Sequence, residues 1–248
     1  MIRGVRHELF QSGQSVAAGI GACTRRAGAV ALVVRPPPGA IAIRSAEALL
    51  AEHEATITSL YERSDTSAAQ FEAVYQPLIV RLAEWVQRLP SQNRTQPTLL
   101  AERLNSAQRA LSRRRGVFLP PHAEPERIAH EADVWTYAVF SIALLRALGP
   151  TLAHWQVTLY SPQQHWRWLP WQVSLSASGA VYYHVKRRIP AYAHDTTPLL
   201  ANRLVPPLAQ NWLWDNPTVW AVWAKALSEP QVPAVLTALL DDRPARSY

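Results

Sequence analysis

Cysteine is almost absent. Cys23 stands alone, which excludes an internal disulfide framework and any cysteine-based zinc cluster and agrees with a cytoplasmic setting. Lysine is nearly as scarce: of 25 basic residues only Lys186 and Lys225 are lysines. The arginine bias has two readings, base composition of the coding sequence or contact with phosphates, for which the guanidinium fork is suited. Glycine is low at 9, and no glycine-rich loop ending in Gly-Lys-Ser/Thr occurs, so a phosphate-cradling ATP motor is not expected. There is no Gly-x-Ser-x-Gly elbow for a serine nucleophile. No apolar run approaches the ~20 residues that span a bilayer, so no membrane partner is expected. TRRAGAVALVV, Thr24 to Val34, imitates a twin-arginine signal but is short and lacks a small-residue cleavage site. It reads as a loosely ordered arm or a short strand.

What is present suits a folded protein with a full core: 48% hydrophobic and 17% charged residues over 248 positions, with 20 prolines as punctuation. The net charge of +7 is uneven, because residues 1–35 hold Arg3, Arg6, Arg25, Arg26 and Arg35 against Glu8 alone. The expected organisation is a basic arm over 1–35, a helical domain over 36–228 with a β insertion at about 154–188, and a C-terminal helix and tail over 229–248.

Ser45 is placed to cap a first helix, and Ala68 to Leu89 reads as a second, ended by Pro90. Leu99 to about Arg115 puts Leu100, Leu104, Ala107 and Leu111 on one side of a third, with Arg109 and Arg113 opposite. A fourth starts at Glu124 or Pro125 and carries the apolar stretch TYAVFSIALLRALGPTL, expected to close at Gly149 and Pro150. WQVTLY, WQVSLS and VYYHVKRR then alternate with period two around the turn SASG, which predicts a small antiparallel sheet. Thr197-Pro198 and Asn216-Pro217 mark two more helix starts, and a last helix is expected from Val232 to Leu240. The fold class is mainly α with a small inserted antiparallel sheet, α+β. The late tryptophans suit packing of sheet against helix, with base stacking as the alternative.

The blocks AEALLAEHEATITSLY, FEAVYQPLIVRLAEWVQRLP, ALSRRRGVFLPPHAEPERIAHEADVWTYAVFSIALL, RRIPAYAHD and LLANRLVPPLAQNWL occur in this order. Together they resemble the N-terminal domain of TraI-type relaxases of integrating conjugative elements, the MOB-H class, whose members are often labelled as helicases. The resemblance covers about 36 to 227. It implies a helical HD-type core, in which a metal-dependent phosphohydrolase site is built from a Gly-Gly-Leu-Leu-x-His-Ser-Leu-Glu segment and a His-Asp-Leu-Gly-Lys stretch ending a buried helix. Here the first segment falls on QNRTQPTLLAERLNSA, with Pro97 and Thr98 for the glycines and Glu102 at the ligand position. The second falls on LRALGP, with Arg146 for His, Ala147 for Asp and Pro150 for Lys; His194 stands where a later histidine is expected.

Ala147 cannot ligate, and Arg146 has no lone pair to offer and repels a cation. Arg146 is therefore expected to fill the metal position with its own charge, pairing with Glu102 or another acid, and no catalytic residue, metal or other cofactor is expected. A site rebuilt from His130, Asp133, His194 and Asp195, holding a divalent metal for phosphodiester chemistry, is the alternative. The functional expectation is a non-catalytic, pseudo-HD relaxase-like protein of conjugative DNA transfer. Its expected partners are DNA, through Arg103, Arg109, Arg113, Arg114 and Arg115, or the relaxase and other conjugation proteins.

Overall fold

Helix formation begins at Ser45, whose hydroxyl accepts from the Ala48 backbone N–H at 3.2 Å and opens α1 (Ala46–Leu50). A 3₁₀ turn (Ala51–His53) leads into α2 (Glu54–Ser64), which ends where Asp65 takes a left-handed φ of 52°. The computed structural model describes residues 35–92, 96–189 and 196–240. Most of the expected basic arm lies outside the described residues, as do Cys23, His194 and Asp195.

The stretch expected as one helix from Ala68 to Leu89 is continuous but not uniform. Ser67 caps α3 (Ala68–Gln70), a π-helical turn follows (Phe71–Tyr75), and α4 (Gln76–Val86) completes it. Pro77 explains the widened turn: it has no N–H for the carbonyl four residues back, and its ring would clash there in a regular helix. The helix stops at Val86, three residues early, because Gln87 turns to φ 47° and ψ −128°.

The centre is a pair of long helices. Thr98 caps α5 (Leu99–Arg114), and Glu124 with Pro125 opens α6 (Pro125–Leu145), proline being suited to the first helical position. From Tyr137 to Leu145 α6 is buried on every side, with α5 against one face. Tyr75 meets Tyr137 edge-on at 5.1 Å and Phe140 at 4.8 Å, joining the π turn to the core. After α6 come α7 (Leu148–Ala153), α8 (Thr197–Leu204), α9 (Pro207–Trp214) and α10 (Pro217–Ser228), the last against α6. The expected helix over Val232 to Leu240 is a 3₁₀ turn (Ala234–Leu236) followed by α11 (Thr237–Leu240), which covers α5.

The segment Pro125–Ala153 is, by length and mean hydropathy (1.3), apolar enough to cross a membrane, which corrects the expectation that no run comes near that length. Its apolar surface is spent inside the fold: 72% of the most apolar window is buried.

The sheet has the order β1-β4-β2-β3, with β1 (Ile41–Ala42), β2 (Trp155–Tyr160), β3 (His165–Arg167) and β4 (Tyr182–Arg187), all pairs antiparallel. Leu159 faces Tyr183 in the register, and both are buried in the core. WQVSLS, expected as a strand, is not one. The Val173 carbonyl accepts the Trp168 indole N–H at 2.8 Å, and the chain turns through a 3₁₀ segment (Ser176–Ser178) to Gly179 at φ 76°. HWR takes the place beside β2 instead. The architecture is mainly helical with a small antiparallel sheet, as the sequence pattern predicts.

Candidate functional site

The two motif segments do meet. The first turn of α5 carries Glu102 and Arg103, and it is fixed from below by Leu99, whose N–H donates to the Leu89 carbonyl at 2.8 Å. The α6–α7 junction comes against it. α6 does not run on to Gly149 and Pro150 as expected: Arg146 leaves the helix at ψ 135°, Ala147 takes a left-handed φ of 56°, and α7 restarts at Leu148. Gly149 and Pro150 lie inside α7. A Cβ on Gly149 would sit 2.6 Å from the Thr197 nitrogen and 2.7 Å from the Thr196 nitrogen, so only glycine lets α7 approach the start of α8 this closely. Across that contact the Gly149 N–H donates to the Thr197 hydroxyl at 3.0 Å.

The cation at this junction is Arg103. Its side chain is buried, at 8% exposure, and one terminal nitrogen donates to the Arg146 carbonyl at 2.7 Å. The other donates to the Thr151 hydroxyl at 3.0 Å, and that hydroxyl donates in turn to the Ala147 carbonyl at 2.8 Å. Glu102 accepts a short hydrogen bond from the Ser91 hydroxyl and lies 4.0 Å from the Arg103 guanidinium. The C-terminal carbonyls of a buried helix carry partial negative charge and need donors, and a guanidinium supplies several in one plane.

Arg146 points elsewhere. Its backbone N–H donates to the Ile142 carbonyl at 2.8 Å, and its guanidinium donates to the Pro230 carbonyl beyond α10. The expected pairing of Arg146 with Glu102 is replaced by Glu102 with Ser91 and Arg103, because the chain turns out of helical geometry at Arg146 and carries its side chain away. The sequence held a signal for Arg103: it falls four residues after Leu99 and four before Ala107, on the buried stripe of α5.

His130 and Asp133 are exposed in the first half of α6. At about 1.5 Å per residue they lie roughly 20 Å or more from the α6–α7 junction, so these two do not join it in one ligand set. Among the described residues no three His, Cys, Asp or Glu side chains converge as metal ligands.

Residues 39–247 match the family model TraI_2, described as "Putative helicase". The chain belongs to this family. No curated protein matches the chain. Membership ties the chain to TraI-like, conjugation-related proteins. In this TraI_2 domain the candidate phosphate-contacting arginines are not one stripe. Arg103 is turned inward; Arg113 donates to the Leu239 carbonyl at 3.3 Å, holding α11. Arg114 donates to the carbonyls of Val117 and Ala132, and burial pushes its pKa down from the usual arginine value. Arg115 donates to the Glu62 carbonyl at 2.6 Å while staying exposed, and Arg109 is exposed on the same helix.

Proposed function

We propose that this TraI_2 domain is a non-catalytic, relaxase-like module of conjugative DNA transfer that acts by binding DNA. The observation that carries the loss of catalysis is the Arg103 guanidinium on the Arg146 carbonyl. The residues around it do not suit a divalent cation: a fixed positive charge faces the helix end, Ala147 offers only a methyl group, and Glu102 already accepts from Ser91. No reaction step is therefore assigned to a metal here.

DNA binding is supported by the family and by the charge of +7, to which the exposed guanidinium groups of Arg109 and Arg115 contribute at one end of α5. The test is fluorescence anisotropy of labelled DNA across a salt series. Affinity should fall steeply with salt, and Arg109→Glu with Arg115→Glu should flatten the log–log slope by about 2, one phosphate contact for each arginine. A protein that binds no DNA at low salt refutes the reading.

A further inference from the structure

We propose that the cleft between α8, α9 and α10 holds an unpaired nucleobase of single-stranded DNA, an inference that rests on the DNA-binding reading above. The cleft has a volume of about 260 Å³ and is lined by Pro198, Asn202, Gln210, Trp220, Trp223 and Ser228 among others. That is room for one ring system with its sugar. A base inside a duplex has both faces covered by its neighbours and cannot enter.

The walls are aromatic and fixed. Trp220 and Trp223 stack at 5.2 Å with 28° between their planes, and Trp214 meets Trp220 edge-on at 5.3 Å. Trp223 is locked by its indole N–H, which donates to the buried Ser141 hydroxyl at 2.9 Å. An aromatic ring prepositioned in this way adds stacking energy without ordering a mobile side chain. Trp214, at 65% exposure, extends the aromatic surface out to solvent, where the next base along a strand would lie.

The polar groups of the cleft are neutral. The Gln210 amide nitrogen donates to the carbonyls of Val205 at 2.9 Å and Asn202 at 3.2 Å, which fixes the orientation of its own oxygen. The Ser228 hydroxyl donates to the Ala224 carbonyl at 2.9 Å and so presents its lone pairs as an acceptor. Asn202 adds an exposed amide with both donor and acceptor. Among the described residues no charged side chain lines the cleft, which disfavours a phosphate or carboxylate inside it and suits an uncharged heterocycle edged with N–H and C=O groups. The exposed cation Arg203 follows Asn202 in the chain, where it would meet a phosphate outside the cleft; Lys225, next to Ala224, lies 3.7 Å from the Glu229 carboxylate and is exposed at the rim.

The experiment uses the full chain with a fluorescein-labelled oligothymidylate single strand, a duplex of the same length, and thymidine monophosphate as competitor. The single strand should bind more tightly than the duplex. Ser228→Leu, which fills the cleft from an exposed rim position, and Trp220→Leu should each weaken it about fivefold to a hundredfold, the range expected for one stacked base. Circular dichroism checks that both variants stay folded, and Ser228→Leu keeps the test open if Trp220→Leu does not fold. Duplex bound as tightly as single strand overturns the proposal, as does a Ser228→Leu protein that binds like the parent. Thymidine monophosphate competing at the same concentration as the strand overturns the strand as the source of the base. Parent protein that binds DNA while the cleft variants are unaffected sinks the cleft alone; parent protein that binds no DNA sinks the DNA reading as well.

Discussion

Replacing Arg103 with alanine removes the donor that closes the α6 C-terminus. The guanidinium makes a charged hydrogen bond of 2.7 Å to the Arg146 carbonyl and a second of 3.0 Å to Thr151. Both are hydrogen bonds from a charged group, each contributing about 1.5–3 kcal/mol. The substitution also leaves a carbonyl at the end of a buried helix without this donor, and part of that cost is recovered if water enters the space. The balance is a loss of about 3 kcal/mol, a large share of the ~5–15 kcal/mol that holds a typical domain folded. For a chain of this size it corresponds to a Tm lower by about 6–12 °C. Urea denaturation followed by circular dichroism measures it, with an unchanged slope showing that the unfolding transition is the same one. Arg103→Lys, which keeps the charge but not the planar fork, should fall between parent and alanine. If Arg103→Ala unfolds within about 0.5 kcal/mol of the parent, as surface substitutions do, Arg103 is not the closure argued for it.

Gly149→Ala should destabilise by about 3 kcal/mol or more, since its Cβ would press on backbone nitrogen at 2.6 Å, and a thermal melt reads this directly. Gln87→Ala should cost about 2–4 kcal/mol, because its buried side chain accepts from the Arg44 N–H at 2.9 Å and donates to the Arg44 carbonyl at 3.0 Å and the Ser176 hydroxyl at 2.7 Å. Gln87→Gly should cost less, since glycine relieves the φ of 47°; equal losses would show that the backbone there is unstrained. Burial pushes the Tyr183 phenol up to about 12, from 10.0, so it favours the folded state fully below pH 10 and its contribution falls as pH rises towards 12. The difference between ultraviolet titrations of the parent and Tyr183→Phe should be one phenolate forming well above pH 10, while Tyr75 and Tyr137, which burial also pushes up, titrate late in both proteins. Arg146→His with Ala147→Asp should not create a tight divalent-metal site while Arg103 remains; stoichiometric manganese, iron or zinc by elemental analysis of the purified double variant would contradict this.

The helices were legible where one residue type settles the question. Ser45, Thr98 and Pro125 start theirs at the positions the pattern predicts, because capping and the proline ring act within one turn. Two readings failed where a distant partner decides. WQVSLS alternates like a strand, but its Val173 carbonyl is taken by the Trp168 indole and Leu175 is buried in the core, which no period-two pattern reveals. TYAVFSIALLRALGPTL reads as one helix up to its glycine, yet the break falls at Arg146 and Ala147, where Arg103 from another helix caps the carbonyl. For the candidate site, the two segments read from the sequence do meet, but the guanidinium that turns into the junction is that of Arg103, while that of Arg146 reaches the Pro230 carbonyl. The spacing of α5 alone puts Arg103 on its buried stripe, whereas no local pattern around Arg146 marks the turn that carries its side chain away.

Under the proposed reading, in which the junction corresponds to a metal-binding turn without its metal, the placement of the two arginines bears on how such a turn keeps its fold. A ligand-bearing turn places oxygen and nitrogen donors at the end of a buried helix, and if the cation goes, something must still satisfy the carbonyls that remain. A residue on the turn itself is poorly placed for this, since its side chain leaves with the chain, as that of Arg146 does towards Pro230. A residue on the facing helix is well placed, because its side chain arrives from across the junction with its own backbone already satisfied. Arg103 enters in this way, and the adjacent Glu102 lies 4.0 Å from it, so the positive charge is not buried alone. On this argument reversing Arg146 and Ala147 to His and Asp would not suffice. Arg103 must first be replaced by a neutral residue of similar reach, such as glutamine, before a cation could compete for the junction. The double variant should therefore bind no metal while Arg103 stands at the junction, and the triple variant should bind only weakly, because a side chain at 146 leaves towards Pro230; a double variant that takes up stoichiometric metal would refute Arg103 as the barrier.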